Sequence, residues 1–363
     1  MKPATQPVHW RTVLKIAAAF AAYLIGSGFA TGQEAMQFFA AHGLAGLAGV
    51  ALSLVCFSYI CLTLFSSGRI HQLSRNEDVF RYYCGDYLGV FLTWYTMIFI
   101  VAVHAVMLAG AGAAIGQTFQ VSGWPGSLVM GILVAATLIL GLKKIVSVMS
   151  LIGPVVIALT VTTALGSLTF GPSNLLEGAR LVSQLDLLKA SDNWASSALL
   201  YVGLTMLGLA SFLPALGTQL HNHAETRATS VIGPLLFCSA LFCVVAALIK
   251  GMNSAQAAEV PMLALAGDLF LGYEKVLALL IFLSIFTTAT PLLWTVAARL
   301  GAEGTPRYKV WVIALSCAGL AGTFALPFGK LVNLIYPTVG WAGLTFLVCA
   351  VVHDIRCLAS HKQ

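Results

Sequence analysis

Long apolar stretches recur along almost the whole chain, and they constrain its fold more than any other feature. Apolar residues make up 59% of the 363 residues and charged residues only 9%. About 20 consecutive apolar residues cross a bilayer as a helix, so this composition is typical of a polytopic membrane protein. We predict an all-α protein with the lipid bilayer as a partner and ten transmembrane helices at 12–41, 43–66, 87–118, 125–142, 145–167, 195–220, 228–250, 272–299, 308–326 and 331–352.

The distribution of basic residues predicts the orientation of these helices. With the N-terminus in the cytoplasm, fourteen of the 19 Lys and Arg residues fall inside and five outside. Cytoplasmic loops carry an excess of Lys and Arg, so both termini are predicted to be cytoplasmic, in the cell inner (plasma) membrane. The same bias explains the net charge of +6, and no nucleic-acid partner is expected.

The chain contains an internal repeat. Pro154 lies in Ser-Leu-Ile-Gly-Pro-Val-Val, and Pro337 lies 183 residues further on in Asn-Leu-Ile-Tyr-Pro-Thr-Val. The same offset carries the second to fifth spans onto the seventh to tenth within a few residues. Because five crossings is an odd number, the second copy must start from the opposite side, as in the inverted repeats of secondary transporters. Although a chance alignment of apolar spans is the alternative, we predict one transmembrane domain over 1–363, with repeats at 12–167 and 195–357 and an external loop at 168–194.

Glycines interrupt the first span and indicate a binding site within the membrane. Residues 26–34 read Gly-Ser-Gly-Phe-Ala-Thr-Gly-Gln-Glu, and glycine weakens a helix. Non-helical backbone in hydrocarbon persists only where it is buried in protein or lines a watery cavity. The free N–H groups of the following half-helix favour an anion such as a substrate carboxylate. A glycine-rich kink for close packing is the alternative. The candidate substrate residues here are Gly26, Ser27, Gly28 and Phe29, the last as a wall or gate.

The repeat offset extends this prediction to the sixth span. It moves the first break onto residues 209–211, beside Gly208 and just before Pro214. We therefore predict that the sixth helix is discontinuous as well, and that Ala210 and Ser211 lie opposite the first break.

Glu34 is an ionisable residue inside a predicted membrane helix, which makes it a functional candidate by default. Its spacing places it about two turns past the break, in the extracellular half of the pathway. It could pair with a substrate amine, carry a coupling proton, or lock the half-helix to a neighbour through a hydrogen bond. Gln33 beside it can both donate and accept, and it completes the candidate substrate site.

The eighth span carries hydroxyl groups that suit a hard cation. Thr287 and Thr288, with the carbonyl of Ser284 and the free carbonyls at the end of the first half-helix, offer the oxygen ligands that such an ion requires. The alternative is that these hydroxyls bond back to a carbonyl one turn earlier, near Pro291.

Other chemistry has little support in the sequence. His221 and His223 are two residues apart without a clear third ligand, so no metal is expected beyond a possible bound Na+. No cofactor is expected. The chain has no H-E-x-x-H, G-x-S-x-G or P-loop signature, and we do not expect an enzyme.

The string from Ile25 to Glu34, followed by Phe38 and Phe39, resembles the bacterial YkvI-like membrane protein family. That family is similar to the amino acid–polyamine–organocation superfamily with the LeuT-like fold. The resemblance implies a five-plus-five inverted repeat, with substrate bound between helices 1, 3, 6 and 8 and alternating access around it. The pattern of the sodium-dependent members assigns the cation to the carbonyls of Ala22 and Ile25 and to Ser284, Thr287 and Thr288. Gln33 and Glu34 depart from that pattern, and proton-coupled relatives share the Gly-Ser-Gly break.

These features together predict a secondary active transporter. Its small-molecule substrate is expected to be an amino acid or a related small amine or zwitterion, moved by symport with sodium or protons. A transporter-fold ligand sensor or a channel-like protein without coupled transport is the alternative, because both need the same pocket. The sequence makes no prediction of the oligomeric state.

Overall fold

A computed structural model describes residues 8–73, 76–140, 146–270 and 272–360. Within these ranges all regular structure is helical, apart from turns, and a short 3₁₀ turn covers Ala40–His42. The α-helices are α1 (Trp10–Leu24), α2 (Ser27–Thr31), α3 (Gln33–Phe38), α4 (Leu44–His71), α5 (Asn76–Phe119), α6 (Trp124–Leu140), α7 (Val146–Phe170), α8 (Leu175–Val182), α9 (Trp194–Gly217), α10 (His223–Lys250), α11 (Met252–Ala255), α12 (Pro261–Leu269), α13 (Tyr273–Leu300), α14 (Pro306–Thr323) and α15 (Phe328–Ser360).

Among the described residues, five helices are long and apolar enough to cross a membrane, or six if Pro154–Phe170 and Leu175–Val182, which meet at a bend of 104°, form one span. The five are Leu44–His71, Glu77–Phe119, His223–Lys250, Tyr273–Leu300 and Phe328–Cys357. Large apolar side chains cover the outside of several helices, among them Ile98, Ile132 and Leu279, and lipid is the solvent that such an exterior fits. The chain is therefore a multi-pass helical membrane protein. Helices also occupy the other predicted spans, but these are shorter, bent or broken.

Side-chain contacts define two opposite faces of the helix assembly. The face that carries the start of the chain, here called the amino-terminal face, is marked by the pairs His9–Glu225, Arg69–His223 and Glu77–Arg299. The opposite face is marked by the hydrogen bonds of Gln117 with Val260, Lys250 with Leu168 and Asn333 with Lys189. Because α5 runs from Glu77 to Gln117 and α10 from Glu225 to Lys250, both helices pass from the first face to the second.

The first span is broken, as the sequence predicts, and it is broken twice. α1 ends at Leu24, and Gly26 adopts an extended backbone with φ −101° and ψ −158°. α2 has only five residues before Gly32, whose φ of 79° lies in the left-handed region that favours glycine. α3 then starts at Gln33 in a new direction. The second break is a feature that the glycine spacing alone does not resolve.

The sixth span does not break, so the prediction of a discontinuous sixth helix is wrong. α9 runs without interruption from Trp194 to Gly217 and contains Pro214 near its end. A proline there removes one hydrogen bond from the last turns, and a lone Gly208 weakens the helix less than three clustered glycines do. α9 packs instead as a continuous helix, with Gly203 in direct backbone contact with Gly340 and Gly343 of α15.

Candidate functional site

The first break lines a cavity of about 470 Å³ between α1, α2, α5, α9, α13 and α15. Gly26, Ser27, Gly28 and Phe29 all contribute to its wall, as predicted from the glycine string. The N–H groups of Ser27, Gly28 and Phe29 begin α2, and the described residues supply no backbone acceptor for them. These N–H groups are therefore available to a bound polar group.

Glu34 lies in this cavity, close to the break rather than two turns beyond it. Its carboxylate rests directly against Gly28, where even a Cβ atom would overlap it. The left-handed turn at Gly32 redirects the chain, so the side chain of Glu34 folds back onto α2. The predicted spacing of two turns between the break and Glu34 assumed a continuous helix, and the second break at Gly32 makes that spacing wrong.

Two tyrosines that the sequence analysis missed surround the carboxylate. The side chain of Tyr201 in α9 lies beside the Glu34 carboxylate, and Tyr336 of α15 lines the same cavity. Both rings are almost fully buried. A tyrosine in the middle of an apolar membrane span, with a hydroxyl that needs a partner, is the signal that could have identified them.

Among the described residues of the cavity wall, Glu34 is the one acidic or basic side chain. The lining residues otherwise carry apolar, aromatic and hydroxyl side chains, and no Lys, Arg, His or Asp is among them. Phe29 is buried and packs against Phe237 with 6.0 Å between ring centroids, which makes it a fixed part of the wall. An uncompensated carboxylate in a largely apolar pocket favours a ligand that brings a positive charge.

Two predicted substrate residues, Gln33 and Ala210, do not line the cavity. Gln33 lies against Gly329 at the start of α15, and its buried Oε1 has no hydrogen-bond partner within the described structure. Ala210 is fully buried but does not line the cavity. The side chain of Ser211 lies outside the described residues. α9 contributes through Tyr201 to Gly208 instead, because a continuous helix exposes its side chains and not its backbone.

The predicted cation ligands are only partly brought together. Thr287 and Thr288 line the cavity, and the Thr288 hydroxyl lies next to Gly26 at the break. Both hydroxyls donate to the carbonyl of Ser284, at 2.8 Å and 3.0 Å, which is the back-bonding arrangement weighed as the alternative. The carbonyls of Ala22 and Ile25 precede the break in the chain, but neither residue lines the cavity, so their role as cation ligands stays a prediction.

A barrier separates the cavity from the opposite face. The Ser27 hydroxyl donates to the sulfur of Met107 at 2.7 Å, and a space of only about 10 Å³ lies between these residues, Phe328 and Tyr336. Beyond Phe328 a wide vestibule of about 780 Å³ opens between the ends of α5 and α14 and the segment before α12. In the other direction the wall of the cavity reaches Thr295, one turn before Arg299 on the amino-terminal face. The structure thus has a pocket toward one face and a vestibule toward the other.

Fold and site together define a multi-pass helical membrane protein with a closed-ended pocket at a broken helix. The chain is 26% identical over 353 residues to the "Uncharacterized protein YyaD" of Bacillus subtilis (strain 168), an alignment that covers 95% of this chain and 98% of that relative. It is 23% identical over 335 residues to the "Uncharacterized membrane protein YkvI" of the same organism, across 92% and 93% of the two chains. No protein-family model matches the chain. These distant relatives support the resemblance to YkvI-like membrane proteins.

Proposed function

We propose that this protein is a secondary active transporter for a small solute that carries an amine. The observation that carries the proposal is the cavity at the broken first span, in which Glu34 is the one acidic or basic side chain among the described residues. A protonated amine would neutralise the Glu34 carboxylate. If the solute is an amino acid, the free N–H groups at the start of α2 would donate hydrogen bonds to its carboxylate. The aromatic and aliphatic remainder of the wall would enclose the body of the solute.

The barrier between pocket and vestibule supports transport by alternating access. A solute bound beside Glu34 is separated from the vestibule by a thin layer that includes Ser27, Met107 and Phe328. Movement of this thin layer would open the same site to the other face, which is how secondary transporters work around a fixed site. With the amino-terminal face in the cytoplasm of the inner membrane, as the positive-inside rule predicts, the pocket described here faces inward.

The helix bounds support a five-plus-five inverted repeat. Moving α6 by 183 residues gives 307–323, against Pro306–Thr323 for α14. Moving α1 gives 193–207, within or next to α9, and moving α4 gives 227–254, against His223–Lys250 for α10. Gly85 interrupts α5 with φ 75°, and the same offset carries it to position 268, four residues before Gly272, whose φ of 88° lies between α12 and α13. Corresponding interruptions in the two halves are typical of such transporters.

An uphill-flux assay tests the transport proposal. Purified protein would be screened for thermal stabilisation by amines and amino acids, and each hit would then be tested for uptake into proteoliposomes under an imposed sodium or proton gradient. Accumulation above the external concentration is expected under one of the two gradients. Binding without accumulation under either gradient would contradict transport and favour the ligand sensor, and downhill flux alone would favour the channel-like protein.

The coupling ion is tested by Thr288, whose hydroxyl lies next to the break. If sodium binds between the first helix and α13, Thr288→Ala should abolish the sodium dependence of uptake and binding, because a hydroxyl ligand is lost. Thr295→Ala is the matched control, since Thr295 also lines the cavity and bonds back to a carbonyl one turn earlier. Unchanged sodium dependence in Thr288→Ala would remove the sodium site and leave Glu34 as the proton carrier.

A further inference from the structure

A cluster of two histidines and a carboxylate lies on the amino-terminal face, and none of its residues lines the cavity. His9 precedes α1, His221 follows α9, and Glu225 is in the first turn of α10. Glu225 is fully buried, whereas the side chains of His9 and His221 are 57% and 61% exposed. His9 lies more than 200 positions before His221 and Glu225 in the chain, so the fold alone brings it to the other two residues.

The ring nitrogens converge on one carboxylate. His9 Nδ1 lies 2.7 Å from Oε1 of Glu225, and His221 Nδ1 lies 3.2 Å from Oε2. One ligand atom from each residue lies within 4.8 Å of the other two. In a tetrahedral zinc site, bonds of about 2.0–2.1 Å place the ligand atoms about 3.3 Å apart, so small movements would admit an ion.

The carboxylate is held in place independently of the two rings. The backbone N–H groups of His9 and His221 donate to Oε1 and Oε2 respectively, each at 2.9 Å. The N–H group of Glu225 donates to the side chain of Asn222 at 2.8 Å, as in a helix capping box. A carboxylate oriented in this way by its surroundings is a preformed ligand, which is the role of a second shell in metal sites.

We propose that His9, His221 and Glu225 form a binding site for a divalent transition metal such as Zn²⁺. In the sequence, the pair His221 and His223 lacks a clear third ligand. The fold brings His9 and Glu225 to His221, whereas His223 contacts Arg69 and does not join the cluster. The metal binds Nδ1 of each imidazole and one oxygen of Glu225, with water in the remaining position. A neutral imidazole keeps its proton by moving it to Nε2, where solvent is accessible. The bound ion ties the segment before α1 to the junction of α9 and α10.

The test is metal binding by the purified full-length protein after removal of any affinity tag. Co²⁺ is titrated and followed by visible absorption, and Zn²⁺ is titrated by calorimetry. We expect one saturable site in the unaltered protein. His9→Ala and His221→Ala should each weaken Zn²⁺ binding by at least about tenfold and remove the Co²⁺ bands. His223→Ala is the matched control, an exposed histidine of the same loop, and it should bind as the unaltered protein does.

Two outcomes would overturn the proposal. One is equal metal binding in the unaltered protein and in His9→Ala, because the ions would then be held elsewhere, for example by cysteines. The other is an equal loss in His223→Ala, which would mean that any surface histidine suffices. Glu225→Gln should also lose binding, and thermal unfolding of the metal-free variant shows whether it is folded. If it is not, the two histidine variants, which remove exposed side chains, decide the question.

Discussion

The Glu34 carboxylate can occupy its observed position only because residue 28 is a glycine and has no side chain. The carboxylate occupies the space in which any Cβ at position 28 would lie. Glycine in this string therefore does more than weaken a helix, since it makes room for the one acidic side chain among the described residues of the cavity wall. Such a role is invisible in the sequence, where Gly28 and Glu34 are six residues apart and a continuous helix would separate them.

Glu34→Gln should weaken binding of the amine solute by about tenfold or more. A hydrogen bond to a charged group contributes about 1.5–3 kcal/mol, and glutamine retains the size of glutamate and an acceptor oxygen beside Tyr201. Affinity is measured by calorimetry with the solute found in the uptake screen, and folding by thermal unfolding. Glu177→Gln, an exposed carboxylate of α8, is the control. Equal affinity in Glu34→Gln would show that the carboxylate does not contact the solute.

Gly28→Ala should reduce solute binding by a similar factor while the fold is retained. The added methyl group overlaps the end of a flexible side chain, so Glu34 swings away and the helices need not move. Gly267→Ala in α12 is the matched control, because a Cβ there meets no atom within 4 Å. A large drop in melting temperature for Gly28→Ala would contradict this, since it would mean that Glu34 is fixed in place and acts as a structural lock.

At the scale of the elements, the 3₁₀ turn Ala40–His42 follows the broken first span and lies against the connection between α8 and α9. Half-buried His42 lies near Lys189 of that connection, and its Nε2 has no hydrogen-bond partner among the described residues. Burial lowers the pKa of His42 below its ordinary value, and the positive charge of Lys189 lowers it further, whereas Asp192 raises it. The folded protein therefore favours the neutral ring.

This shift predicts that acid weakens the fold through His42. A histidine whose pKa is lowered by folding binds a proton more readily in the unfolded chain, so stability is lost as the pH falls below its ordinary pKa of 6.5. His42→Gln removes the titrating group. On going from about pH 7.5 to about pH 5.5, the melting temperature of the unaltered protein should fall more than that of His42→Gln. The unfolded chain binds about one proton more than the folded protein through this histidine. Parallel pH profiles would show that this histidine does not contribute.

The elements also show where sequence reasoning succeeds. Hydropathy locates the helices well, because burial in lipid requires long apolar runs and glycine or proline ends them. The break at Gly26 follows from local composition. The break predicted in α9 does not occur, because the repeat offset carries helix positions across but not glycines: residues 209–211 are Leu, Ala and Ser. Which side chains of α9 line the cavity depends on the orientation of the helix around its own axis. That orientation results from packing against distant helices, so the local sequence of α9 does not predict it.

At the scale of the whole molecule, the cavities on the two sides of the Met107–Phe328 barrier predict different accessibility from the two faces. Thr205 lines the pocket and Ala258 lines the vestibule. A membrane-impermeant maleimide should therefore label Thr205→Cys from the amino-terminal face and Ala258→Cys from the opposite face, each compared with the unaltered protein to subtract its eight native cysteines.

The solute and its coupling ion should protect Thr205→Cys from the reagent. A bound solute fills the pocket, and closure toward the amino-terminal face would reduce access further. Labelling is read by mass spectrometry on sealed vesicles of known orientation, with the reagent applied to one side at a time. If Thr205→Cys reacts equally from both faces without solute, the layer of Ser27, Met107 and Phe328 is no barrier, and a channel-like protein would explain the structure better than a transporter.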